Sequence, residues 1–142
     1  EADYAVRGVA VNCGPALMGD DIEGICQSAM DIPVCVSDAS GFTGDADRGW
    51  SDAMISLLRK VPHFSEKKQA GKINVIGPCI LDPASDESWE NVLFIPGGQL
   101  MMYGELSLLS EAERNVVVHH RGLAVARWLE ENTQVPYSMQ YE

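Results

Sequence analysis

No apolar run in this sequence approaches the ~18 residues of a membrane-spanning helix, and no charged-then-apolar leader opens it. A soluble protein is therefore expected. Cations are scarce: ten Lys+Arg stand against 21 Asp+Glu, a net charge of −11. A surface of that sign repels phosphate backbones and anionic membranes, so neither nucleic acid nor lipid is an expected partner. A basic partner, or solubility alone, accounts for the charge. The four cysteines, Cys13, Cys26, Cys35 and Cys79, contain no CxxC pair. In an α/β-patterned chain of ordinary size this points to free thiols in a reducing cytoplasm rather than to a disulfide framework. No low-complexity tract occurs, which excludes a disordered chain. Neither G-x-G-x-x-G nor G-x-x-x-x-G-K is present, so Gly97-Gly98 reads as a turn without a phosphate fingerprint.

What is present is an ordinary globular composition: 142 residues, 46% hydrophobic and 22% charged. That length suits one compact domain or two small lobes, and a chain of this size buries roughly two-thirds of its unfolded surface. Residue 1 is Glu rather than Met and an apolar run follows at once, so the chain reads as a piece of something longer.

Apolar runs alternate with helical patterns. Ala5–Val11 and Ile32–Val36 are short, Val-rich and bounded by Gly, Asn or Pro, as buried parallel strands are. Between them Ile22, Ile25, Cys26, Ala29 and Met30 form one apolar helical stripe, with Asp20 and Glu23 spaced as a capping box. Strand, helix and strand make a right-handed βαβ unit. The loop Gly41-Phe42-Thr43-Gly44 leads to a helix over about Asp47–Lys60, with Trp50, Met54, Leu57, Leu58 and Val61 on its buried face. This first Rossmann-like lobe spans residues 1–62. A polar linker covers 63–72, and a second lobe covers 73–142. The second lobe is expected to contain strands at Ile73–Ile76, Leu100–Tyr103 and Val116–Val118, a helix around Ser88–Leu93, and a last helix over Gly122–Asn132. The resulting fold class is α/β, with open, mostly parallel Rossmann- or flavodoxin-like sheets and flanking helices.

In such sheets ligands sit beyond the carboxyl ends of the strands, and Cys13 occupies that place after the first strand. A sulfur beside a helix start lies in a positive field that suits a nucleophile or a metal ligand. Asp20 and Asp21 oppose that field, and a small turn cysteine beside acidic helix caps is the plainer reading. Cys26 lies on the apolar stripe and Cys35 within a buried strand, so both read as core. Cys79 follows a strand in the other lobe. Asp45-x-Asp47-x-Gly49 begins like a calcium loop, but its twelfth position is Ser56 rather than the closing Glu, and helix-capping acid is preferred. His119-His120 at a strand end point to opposite faces and do not chelate together.

The set Cys13-x5-Gly19-Asp20-Asp21-Ile22 resembles the hallmark of the nitrogenase component 1 family. Its members include a cofactor-maturation scaffold and the dark-operative protochlorophyllide reductase. Pro33-Val34, Gly41-Phe42-x-Gly44-x4-Gly49-Trp50, Lys72-Ile73-Asn74-Val75-Ile76-Gly77, Asn115-Val116-Val117-Val118 and Val135-Pro136 continue the resemblance over nearly the whole chain. Gly49-Trp50 is nearer the β-type subunit than the α-type. The resemblance implies that Cys13 ligates an iron–sulfur cluster, P-cluster-like, at the interface with a paired component 1 subunit. It also implies electrons delivered by an ATP-driven iron protein and passed on to a reductive site. Cys13, Gly14, Gly19, Gly41 and Phe42 then shape the cluster pocket, with backbone N–H groups directed at sulfur. Only Cys13 matches the family's cluster cysteines; the two others of each subunit fall before residue 1, Gly41 replaces a serine that also touches the cluster, and the α-type histidine is Trp50. One thiolate does not hold a cluster, so this fragment is expected neither to retain it nor to turn over alone. A non-catalytic Rossmann-like scaffold or partner-binding module without metal is the alternative, and an enzyme using Cys13 as nucleophile lacks an identifiable base.

Overall fold

A computed structural model of the chain describes residues 6–42, 44–78, 90–94 and 103–141. These residues form two compact units that divide between Pro62 and His63.

The first unit is built on strands β1 (Arg7–Val11) and β2 (Val34–Asp38), joined by helices α1 (Cys13–Met18) and α2 (Ile22–Ala29) and followed by helix α3 (Ala46–Leu58). The strands pair in parallel from Arg7↔Val34 to Val11↔Asp38, so their carboxyl ends finish level. A parallel pair requires a crossover, and the two helices supply it. Asn12 caps α1 by accepting the Gly14 N–H, and Asp45 caps α3 by accepting the Arg48 N–H. Asp45 is thus the helix-capping acid that the spacing suggests. Buried side chains here include Val34, Cys35, Ser51, Met54 and Leu58. Trp50, Leu57 and Val61, expected on the buried face of α3, are half-buried.

Two expectations about α2 are corrected. Its cap is Asp21, which accepts the Gly24 N–H, and not Asp20. The cause lies upstream: Gly19 closes α1 in the left-handed conformation, and the Asp20 N–H is spent on the Pro15 carbonyl. Glu23 closes no capping box; it accepts from Gln27 and pairs with Lys60 instead. Nor is the stripe of α2 buried, since Ile25 stays 58% exposed. Two strands about 4.8 Å apart are narrower than a helix about 10 Å across, so the pair cannot cover the stripe.

The second unit holds a four-stranded, wholly parallel sheet of β3 (Gln69–Ile76), β4 (Val92–Phe94), β5 (Ala112–Val117) and β6 (Tyr137–Met139), in the order β4-β3-β5-β6. The first strand lies inside and later ones are added on both sides, which is doubly wound, flavodoxin-like topology. Helix α4 (Leu123–Thr133) packs on β3, β5 and β6, while a 3-10 segment, Tyr103–Glu111, packs on β3 and β4. Val75, Ile76, Leu106, Leu109, Val117 and Leu129 are all fully buried. Gly122 precedes α4 because a Cβ there would meet the Ile76 carbonyl oxygen at 2.8 Å. Within this core Asn74 and Asn115 are register partners. The Asn74 amide donates to Asn115 Oδ1 and to the Leu109 carbonyl, and Asn115 donates to the Val135 carbonyl. Two wholly buried polar side chains thereby satisfy backbone groups that flank the sheet.

β3 begins at Gln69, four residues before Ile73, and takes in the end of the stretch expected as linker. Of the helix expected around Ser88–Leu93, Ser88 and Trp89 lie outside the described residues, and Val92 and Leu93 belong instead to the strand β4, because Asn91 adopts a left-handed φ of 59° that helical propagation does not tolerate. Gly97-Gly98 and most of the expected Leu100–Tyr103 strand lie outside the described residues, and Tyr103 opens the 3-10 segment. Among the described residues no helix is long and apolar enough to cross a membrane.

The polar stretch before β3 is tied down at Glu111, which is buried and accepts from the Ser65 hydroxyl and the Gln69 amide. The Ser65 hydroxyl, then the Gln69 amide, hold its carboxyl below the ordinary value of 4.5. A depressed carboxyl contributes stability that is complete above the ordinary value and is lost as pH falls through the folded one. Thermal melts of the wild type are therefore expected to fall more steeply between pH 5 and pH 3, about the lower carboxylate range, than those of Glu111→Gln. Parallel curves would contradict the assignment.

Candidate functional site

The site lies at the carboxyl end of the β1–β2 pair, where three consecutive backbone N–H groups are each committed. The Ala39 N–H donates to the Val11 carbonyl at 2.9 Å and extends the strand ladder by one bond. The Ser40 N–H donates to Asp38 Oδ1 at 2.8 Å. The Gly41 N–H donates to Cys13 Sγ at 3.5 Å. Cys13 itself is the first residue of α1 and is exposed. The level strand ends explain the meeting. Cys13 stands two residues past Val11 and Gly41 three past Asp38, so the two loops leave the sheet side by side.

The Asp38 carboxyl is held below the usual carboxylate range by the Ser40 hydroxyl, then by the Ser40 N–H. Ser40 is 4% exposed, while Ala39 and Gly41 on either side of it are exposed. Asp38, Ser40, Gly41, Asp45 and Gly49 line a cavity of about 300 Å3. The sequence pattern singled out neither Asp38 nor Ser40. The one signal available was the equal length of the two strands, which makes the residue closing β2 a neighbour of the residue closing β1.

The sequence-derived site residues separate into two sets. Cys13, Gly14 and Gly41 come together, with Phe42 beside them and 65% exposed. Gly19 stands at the other end of α1, where its φ of 71° and its N–H to the Pro15 carbonyl close the helix. Cys35 is buried in β2 and its thiol donates to the Arg7 carbonyl. Cys26 is half-buried on α2. All three described cysteines are free thiols, and Cys79 lies outside the described residues. In the second unit, His119 and His120 do not alternate across a strand. β5 ends at Val117, His119 caps a 3-10 turn, and the two rings stack with centroids 4.1 Å apart.

Chemically the first site offers one exposed sulfur with one N–H donor. The donor set suits a single thiolate ligand of a metal cluster. It provides no second exposed thiol, among the described residues, with which to bind one unaided.

Comparison with known proteins gives concordant results. The profile of the family described as Nitrogenase component 1 type Oxidoreductase matches residues 3–140. The nitrogenase iron-molybdenum cofactor biosynthesis protein NifE of Klebsiella pneumoniae is 28% identical across 88% of this chain and 32% of its own length. Two solved structures titled Nitrogenase Cp1, at pH 6.5 and pH 5, superpose with TM-scores of 0.73 and 0.71 at 21% identity. Each covers 95% of this chain, which in turn spans 28% and 30% of theirs. The chain thus spans about a third of the length of the proteins it resembles.

Gly19→Ala is expected to destabilise the first unit by about 1 kcal/mol, the cost of holding a Cβ in the left-handed region. Gly19→Asn is expected to lose less. Urea unfolding of both variants checks the order, and an Ala variant as stable as wild type would contradict it.

Proposed function

Because the chain belongs to the nitrogenase component 1 type oxidoreductases, we propose that it contributes Cys13 as one thiolate ligand to an iron–sulfur cluster shared with a paired component 1 subunit. The observation that carries this reading is the exposed Cys13 sulfur at the mouth of the β1–β2 pair, with the Gly41 N–H donating to it.

Iron–sulfur clusters take about four thiolates or their substitutes. The residues present fit one such position. Cys35 is sealed in β2, and Cys26 sits on the helix that crosses between the strands. Among the described residues no further cysteine is placed to join it, and the other ligands come from the rest of the protein and from the paired subunit. When bound, the cluster supplies one-electron transfer. The chain's own part is to hold the sulfur, to donate one N–H to it and to flank it with apolar surface. An N–H directed at a ligand sulfur draws electron density from it and raises the reduction potential. Phe42, next to Gly41, is 65% exposed, and Leu17 and Met18 near the end of α1 are 72% and 71% exposed, apolar surface suited to a partner. In the whole protein, electrons arrive from an ATP-driven iron protein and leave towards a reductive site.

The likeness to NifE favours a second reading of the whole protein, as a cofactor-maturation component in which a metal cluster is cargo. Both readings assign Cys13 the same role.

Anaerobic reconstitution with iron and sulfide tests the proposal. Mixed with its paired subunit, the full-length protein that contains this chain is expected to develop brown visible absorption that Cys13→Ser reduces or abolishes. The chain alone is expected to stay colourless. A colourless mixture, or absorption indifferent to Cys13→Ser, would favour a metal-free scaffold instead.

A further inference from the structure

We propose that Asp38 is a positioning residue for the Cys13 sulfur: by accepting the Ser40 N–H, it sets the turn that aims the Gly41 N–H at Sγ. The inference deepens the proposed function, because the N–H so aimed would tune a cluster bound through that sulfur. The turn itself requires no metal.

Beyond the ladder bond of Ala39 to Val11, the chain must leave the strand direction within one residue for the Gly41 N–H to reach Cys13. A side-chain oxygen that accepts the N–H two residues on is the Asx turn, which makes that change of direction without a special φ. The bond of Asp38 to the Ser40 N–H has this form, at 2.8 Å. Gly41 is not held by packing: a Cβ there would meet nothing within 4 Å. Its position therefore depends on the hydrogen-bonded residues before it. Asp38 also lines the cavity of about 300 Å3 beside this turn.

The test separates acceptor from charge, using the chain labelled with nitrogen-15. Asp38→Asn keeps an acceptor oxygen and loses the charge; Asp38→Ala loses both. In wild type and Asp38→Asn, adding Cys13→Ser is expected to move the Gly41 amide resonance, since its acceptor changes from sulfur to oxygen. In Asp38→Ala the same addition is expected to leave that resonance in place. Gly41 amide exchange in Asp38→Ala should be roughly two- to tenfold faster, the range commanded by one net hydrogen bond. Should Asp38→Ala fail to fold, Asp38→Glu makes the comparison with charge retained, because its longer side chain carries the carboxylate past the Ser40 N–H. A Gly41 resonance equally sensitive to Cys13→Ser in every Asp38 variant would overturn the proposal, as would Asp38→Asn behaving like Asp38→Ala. Failure of iron–sulfur reconstitution alone removes the cluster reading and leaves the turn. Failure of the amide comparison alone removes the turn and leaves the cluster.

Discussion

The parallel register that sets Val11 opposite Asp38 fixes where every group of the site can be. Two strands that end level release their loops from the same edge. The first loop begins with Asn12, whose side chain starts α1 and so presents Cys13 at its first turn. The second begins with three N–H groups committed in succession to a strand carbonyl, a carboxylate and a sulfur. A slip of one residue would turn every side chain of a strand to the other face. It would also break the ladder bond of Ala39 and carry Gly41 away from Cys13. The site is thus a consequence of strand pairing rather than of a local motif, which is why residues 28 apart in sequence make the contact.

The two units differ in how they hold themselves. The second holds a sheet of four strands on which α4 and a 3-10 segment pack. Its buried Asn74–Asn115 pair satisfies backbone carbonyls that a purely apolar core would leave without donors. The first has two strands and leaves Leu17, Met18, Ile25 and Phe42 more than half exposed. The unit that bears the accessible thiol thus also leaves several large apolar side chains uncovered. That combination suits a surface which meets another protein around a shared ligand.

Much of this was legible in the sequence. Val-rich runs bounded by Gly, Asn or Pro marked β1 and β2, Val116–Val118 marked the end of β5, and the 3.6-residue spacing of Val125, Ala126 and Leu129 marked the buried face of α4. Cys13 fell beyond a strand end by counting alone, and its pattern with Gly19-Asp20-Asp21 carried the family. The failures have physical causes. The cap of α2 moved by one residue because Gly19 ended α1 in the left-handed region, which a scan for capping pairs does not register. The strand at Val92–Phe94 was hidden by Asn91, whose positive φ breaks a helical pattern that its neighbours support. Asp38 and Ser40 escaped because their importance lies in an offset between strands, and an offset of that kind is a property of the pairing.

Cysteine accessibility tests the arrangement most directly, with the native chain alkylated and each site followed by peptide mass spectrometry. Cys13 is expected to react in the native chain as an exposed thiol, while Cys35 reacts only as fast as the first unit opens. A Cys13 protected in the native chain, or labelled no faster than Cys35, would contradict the strand register and the site built upon it.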